Sequence, residues 1–295
     1  MVANPIVFDR GLLRERMRRA LERGPETFLV DRVAADLAER LGAVLRQFAV
    51  AVDLGTPTNA VRAALAENPS IGPLIAASAL ARTAPAIVAD EEALPFRDAS
   101  LDLVVSALAL QFVNDLPGAL VQIRRALKPD GLFLAAALGG ATLTELRQAF
   151  AAAEADVEGG ISPHVAPFAD VREMGALLQR AGFALPVTDV ERLTVRYSSP
   201  FILMGELRRM GATNALAERR RTPLRRATLT RMAEIYAQRF ADRDGKIRAT
   251  FEVIWLSGWA PHESQQKPLR PGSAQTRLAD ALGTREIGTG EKAGR

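Results

Sequence analysis

The sequence predicts an α/β protein built on a mostly parallel sheet with helices on both faces. Three observations carry this. Strand-length apolar runs alternate with helical periodicity up to about residue 158. The runs are continuous rather than alternating, as in strands covered on both faces. Residues 48–59 form an apolar run ending in Asp53, a turn with Gly55, and then a helix. That is where a doubly wound sheet holds a nucleotide-like ligand.

The elements follow in order. Residues 27–41 carry Leu29, Val33, Leu37 and Leu41 at helical spacing, closed by Gly42. Residues 48–54 are the first strand and 59–67 a helix. Strands are expected at 72–77, 86–90 and 101–106. A helix at 119–127 stops at Lys128-Pro129-Asp130-Gly131, and residues 132–138 make a fifth strand before Gly139-Gly140. Thr142 and Glu145 have capping-box spacing for a helix that runs to Gly159-Gly160. In the second half, Asp170 caps a helix to Arg180, residues 187–197 are a strand, and 200–210 a helix. Thr222-Pro223 reads as the start of a helix with Leu229, Met232, Tyr236 and Phe240 on one face. Residues 251–259 are the last strand, with Trp255, Trp259 and Tyr236 expected in the core. Residues 283–295 are small and polar and are expected to be disordered.

Composition narrows the chemistry. The chain has 295 residues, 48% hydrophobic and 24% charged, enough for one elaborated globular domain. With no cysteine, disulfides, thiolate ligands and cysteine nucleophiles are excluded. His164 and His262 are the only imidazoles, and their separation gives no local ligand spacing, so no metal site is expected. His164 follows a Gly-Gly loop and reads either as a general base or as a polar loop residue. His262 reads as loop packing. No Gly-x-Ser-x-Gly elbow supports a serine hydrolase.

Charge suggests partners. Net charge is +4, and eight arginines lie between Arg208 and Arg231, opposed in sequence by Glu218 alone. Such a cluster, including Arg208, Arg220, Arg221 and Arg225, suits an acidic protein or carrier protein, or else is a solvated helix face. No aromatic residue interleaves it, so no specific nucleic-acid surface is expected. No apolar run approaches the ~18–20 residues of a membrane span. Asp9, Glu15 and Glu22 argue against a transit peptide, so a cytoplasmic protein is expected.

Several phrases carry a resemblance. Asp90-Glu91-Glu92-Ala93-Leu94-Pro95-Phe96 resembles the third motif of class I S-adenosylmethionine (SAM) dependent methyltransferases. Leu101-Asp102-Leu103-Val104-Val105-Ser106, followed by Gln111-Phe112-Val113-Asn114-Asp115, resembles the fourth. Phe8-Asp9-Arg10, Gly159-Gly160-Ile161-Ser162-Pro163-His164 and the run from Gly258 to Lys267 are similar to one subgroup. It contains the mitochondrial complex I assembly factor that hydroxylates an arginine, with its bacterial relatives. These are grouped with the malonyl-acyl-carrier-protein methyltransferase.

The resemblance implies a Rossmann-like sheet of seven strands, a helical cap over residues 1–45, a core domain over 46–282, and a helical cover near 195–245. It implies a SAM site using Asp53, Gly55, Asp90, Glu91 and Ser106, with His164 as the catalytic candidate. It also implies methyl transfer to a protein or carrier-bound acceptor. The alternatives are complex I assembly or arginine hydroxylation on the same fold, or a non-catalytic scaffold. The cofactor loop departs from the pattern: Pro57 and Asn59 stand where glycines are expected, and Ala76, Ala77 and Ser78 offer no acid for a ribose.

Overall fold

The computed structural model describes residues 6–80, 85–266, 278–281 and 283–285. Of the tail expected from 283, residues 286–295 lie outside this set, as does Lys267 of the motif that begins at Gly258. Residues to Pro261 form one compact unit. In the second unit, from His262, the described residues make a turn, in which His262 Nδ1 lies 2.7 Å from Ser264 Oγ, and a short helix, Leu278–Ala281.

In chain order the first unit runs α1 (Arg10–Glu22), α2 (Phe28–Gly42), β1 (Ala51–Leu54), α3 (Ala60–Leu65), β2 (Leu74–Ala77), β3 (Ala86–Ile87) and β4 (Leu101–Ala107). It continues with α4 (Leu116–Ala126), β5 (Leu127–Leu138), α5 (Thr144–Glu158), α6 (Val171–Arg180), β6 (Ala184–Tyr197), α7 (Pro200–Arg209), α8 (Arg226–Phe240) and β7 (Ile247–Trp259). Seven strands form one sheet in the order β3-β2-β1-β4-β5-β7-β6. The pairs from β3 through β5 are parallel; β7 is antiparallel to both β5 and β6. The chain steps outward from β1 to β3 and then crosses to the other side of β1 for β4. The ends of β1 and β4 are therefore the switch point where such sheets open a ligand crevice.

Both sheet faces are covered, as the continuous apolar runs require. One core joins α2, α5 and α8 to the sheet through Leu37, Phe150, Tyr236 and Trp255. The other joins α4 and α6 through Leu120, Ile123, Met174 and Leu178. Tyr236 is fully buried and donates to the carbonyl of Arg248 at 2.8 Å, while Trp259 is only partly buried.

Tertiary contacts moved several boundaries. β1 begins at Ala51, because Phe48 makes only an isolated bridge to Ile71. β5 takes in the Lys128–Gly131 turn and pairs with β4 through a register shift. The capping box at Thr142 and Glu145 is absent. Thr142 Oγ1 instead exchanges hydrogen bonds with the backbone of Glu252, and Glu145 accepts from Thr250 N and Oγ1. These residues tie α5 to β7 rather than cap it, leaving Leu143 at φ +53 at the helix start. α8 begins at Arg226, not at Pro223, because Arg225 is still extended. The Asp170–Glu173 capping box of α6 forms as the spacing predicts.

Candidate functional site at the switch point

Asp53 is the next-to-last residue of β1, with its side chain buried, opposite Ala76 of β2 and Val105 of β4. Thr56 turns back: its hydroxyl donates to Asp53 Oδ1 and accepts from Ala107 N at 3.0 Å. Asp53 thus stitches the turn to β4. Burial pushes its carboxyl up to about 7, against the opposing pull of the Thr56 hydroxyl and the Arg62 guanidinium. Gly55 adopts φ +75, which glycine accepts without strain. Asn59 does not need that freedom, since its φ is −88. A recess of about 140 Å³ lies here, walled by Asp53, Thr56, Pro57, Thr58, Asn59 and Ser78 among others.

The neighbouring end of the crevice is filled. Arg10, only 12% exposed on α1, reaches Asp90 at 2.6 Å, Glu92 at 3.0 Å and Glu91. Arg14 reaches Asp90 at 2.5 Å. Asp90 also accepts from Glu92 N, and these partners together hold its carboxyl low against desolvation. Asn114 fixes the approach of α1 by accepting from Val7 N and Phe8 N and donating to Phe8 O. The Phe8-Asp9-Arg10 phrase and the segment after β4 are therefore docking partners.

This bears on the cofactor. A Cβ on Gly55 would lie 2.9 Å from Glu91 Oε1 and 2.8 Å from Ala109 Cβ, so the cradle opens onto protein atoms. The space beside Arg10, Gly55 and Glu91 is about 30 Å³. The recess at Asp53 suits a small cationic group; the nucleoside half of SAM does not fit this arrangement. Pro57 lines both spaces and also the large cavity beyond, so the residue at the lost glycine position partitions the crevice.

That cavity holds about 250 Å³ and is mostly apolar, with Phe112, Phe150, Phe168, Leu207 and Phe251 on its walls. His164 lines it, stacked on Phe150 with ring centroids 4.1 Å apart. Its Nε2 lies 2.8 Å from Oε1 of Glu154, a side chain only 1% exposed. Glu154 also accepts from Ser162 N and Oγ, both at 2.6 Å. The Ser162 and His164 contacts hold Glu154 below the usual carboxylate range although burial opposes it. At the end of β4, Leu108 sits at φ +54, a strained value for leucine, on the same cavity wall.

The structure brings together Asp53 with Gly55, and separately Asp90 with Glu91. Ser106 is fully buried in β4, its hydroxyl has no partner, and it lines none of the three spaces. His164 stands at a cavity, while His262 belongs to the second unit. Sequence reasoning missed Arg10 and Glu154. An acid four residues after Phe150, on the buried face of a helix, is the signal that could have found Glu154.

The arginine cluster is not unopposed. Arg209 pairs with Glu26, Arg219 with Asp9, Arg220 with Glu158 and Arg231 with Asp156. Acids distant in sequence answer half of it. Among the described residues no group of three or more His, Asp or Glu side chains is placed to hold a metal, and no helix is long and apolar enough to cross a membrane.

Comparison with known proteins agrees with this geometry. A family described as "Methyltransferase domain" matches residues 34–135. Arginine-hydroxylase NDUFAF5, mitochondrial, of Danio rerio is 37% identical over 93% of this chain and 89% of its own length; the Homo sapiens protein is 39% identical over 91% and 81%. Malonyl-[acyl-carrier protein] O-methyltransferase of Gallionella capsiferriformans is 34% identical over 88% and 93%. The crystal structure of YcgJ from Bacillus subtilis shares the fold, with a TM-score of 0.52 at 16% identity over 78% of this chain and 99% of its own.

These relatives correct the cytoplasmic expectation, since those named arginine-hydroxylase are mitochondrial proteins by name. The acids used against a transit peptide belong to the folded domain: Asp9 caps α1, and Glu15 and Glu22 pair with Arg19 and Arg18 on it. The chain belongs to the class I SAM-dependent methyltransferase superfamily, in the group that holds arginine-hydroxylase NDUFAF5 and malonyl-[acyl-carrier protein] O-methyltransferase.

Proposed function

We propose that this chain modifies an arginine side chain of a protein, the reaction class named for its relatives. The observation that supports this is the large apolar cavity with His164 at its wall and Glu154 behind the ring. An arginine side chain joins an apolar stem to a planar head of N–H donors. Such a stem suits Phe112, Phe150 and Leu207, and such a head suits a basic ring nitrogen. Methyl transfer to a carrier-bound acid is less well supported, because it needs the nucleoside end of the crevice that Arg10 and Glu91 fill. SAM itself binds weakly in this reading, through the Asp53 recess, and firmly only when α1 withdraws.

The test is mass spectrometry of arginine-containing peptides incubated in air with the purified chain and an added electron donor, with and without SAM. An arginine gaining the mass of one oxygen supports hydroxylation. A gain of one methyl group, dependent on SAM, returns the function to methyl transfer. The second reading is a non-catalytic scaffold in respiratory complex I assembly, favoured by the same closed nucleoside end. No modified peptide, with stable capture of a complex I subunit, supports that instead.

A further inference from the structure

We infer that Glu154 and His164 work as one base: Glu154 fixes the imidazole so that Nδ1 takes a proton from a substrate N–H or O–H in the cavity. This rests on the proposal that the cavity is the substrate site, and it narrows the substrate to groups whose reacting atom carries a proton. A carboxylic acid, already ionised at neutral pH, needs no such base.

The tautomer follows from the contacts. Glu154 is held ionised and therefore only accepts, so the proton between it and His164 sits on Nε2 at 2.8 Å. Ser162 Oγ donates to the same carboxylate oxygen and lies 3.3 Å from Nε2, leaving that nitrogen no other acceptor of comparable quality. Nδ1 of the neutral ring is then a bare acceptor, and no protein donor meets it among the described residues. Stacking on Phe150, with the rings 13° from parallel, removes the remaining rotation. A buried carboxylate, an oriented ring at a cavity wall and a ring nitrogen that no protein donor meets together have the geometry of a general base.

The other charged groups nearby are already committed. Arg147 of α5 donates to the carbonyls of Gly140, Thr142 and Ala166. Glu26, across the cavity, is paired with Arg209 at 2.7 Å, and Glu158 is paired with Arg220. Among the described residues of the cavity wall, Arg208 is the remaining cation. In the step itself the substrate N–H or O–H bond breaks, its electron pair stays on the substrate atom, and the proton moves to Nδ1. The resulting imidazolium is stabilised by Glu154. For a guanidinium the proton must leave as the new bond forms, because an imidazole is too weak a base to remove it beforehand.

Glu154 is thus a positioning residue, and the test must separate that role from merely holding the 162–164 loop. Nitrogen-15 histidine NMR suits the full chain, which has two histidines. The signals lost in His164→Asn are those of His164. The expected wild-type signature is a protonated Nε2 and a bare Nδ1. In Glu154→Gln the neutral amide no longer demands a donor, so the preference for a protonated Nε2 should be lost and the two tautomers should mix. Ser162→Ala, which keeps the carboxylate, should leave both features in place. A wild-type ring protonated on Nδ1 overturns the inference, as does an unchanged tautomer in folded Glu154→Gln. Should that variant not fold, the wild-type tautomer alone decides. In peptide modification, Glu154→Gln should lower kcat more than it raises KM. If the wild type modifies no peptide while the NMR signature stands, it is the substrate reading that has failed.

Discussion

Arg10 and Glu91 meet in an ion pair that lies against the Gly55 turn, with both side chains only 12% exposed. A cation from the N-terminal helix thus occupies the side of the crevice where the nucleoside half of a SAM molecule would have to lie. The glycine survives, but it faces a protein carboxylate.

Removing that cation should open the crevice. Arg10→Ala is expected to tighten SAM binding by roughly tenfold, about 1.4 kcal/mol. It should also cost about 1–3 kcal/mol of stability, because three acids lose their shared partner. Isothermal titration and urea unfolding of the same sample measure the two. Equal SAM affinity in variant and wild type would show that α1 is no obstacle.

Pro57 and Asn59 should behave differently. Pro57 walls all three spaces, so Pro57→Gly is expected to join the Asp53 recess to the large cavity and strengthen SAM binding several-fold. Asn59 sits at φ −88 and has no need of glycine, so Asn59→Gly should add little affinity. The gain would be reversed if the affinity change tracked Asn59 and not Pro57.

Asp53 gives a pH signature. Its folded carboxyl, at about 7, lies above its ordinary value of 3.8, so between these values the native state holds a proton that the unfolded chain releases. Its contribution to stability therefore falls as pH rises from about 4 to 7, then levels off, with an upper slope of about 1.4 kcal/mol per pH unit. Asp53→Asn should be more stable than wild type at pH 8 and lose that advantage towards pH 4. Chemical unfolding at both pH values checks the crossing, and parallel curves would rule it out.

The arginines should separate into two classes. Arg220→Glu faces Glu158, which also accepts from Thr228 on α8, so reversal puts like charges together and should lower the melting temperature. Arg225→Glu, at the exposed start of α8 and a weaker attraction on Glu158 than Arg220, should lower melting less and weaken any salt-sensitive association with an acidic protein. Binding assays across ionic strength, paired with thermal melts, separate the two. Identical melts for both variants would show that the Arg220 contact carries no stability.

Much of this fold was legible because the signals are local. Continuous apolar runs marked β1, β4 and β5, and the seven strands and Rossmann-like sheet followed from the family likeness. What was misread depends on partners far away in sequence. Thr142 and Glu145 have the spacing of a helix cap but bind β7, more than a hundred residues on. Eight arginines look unopposed in a linear window, yet Glu26, Asp9, Glu158 and Asp156 come to meet them from elsewhere. At the site, His164 was visible as one of only two histidines, whereas Glu154 was hidden among the alanines of α5. Arg10 was noticed only as part of a phrase, because nothing in its neighbourhood tells which acids it will reach.

The order of the strands also governs how the chain is made. Among the described residues β7 is the last strand to leave the ribosome, yet it lies between β5 and β6. Until residue 259 has emerged, β5 has no neighbour on that side and β6 has nothing to join. A nascent chain ending anywhere from Tyr197 to Ile247 therefore carries an open hydrogen-bonding edge and an orphan strand of fourteen residues. Translation must pass that window before the domain can close, and a stop or long pause within it leaves a species prone to pair with its own copies.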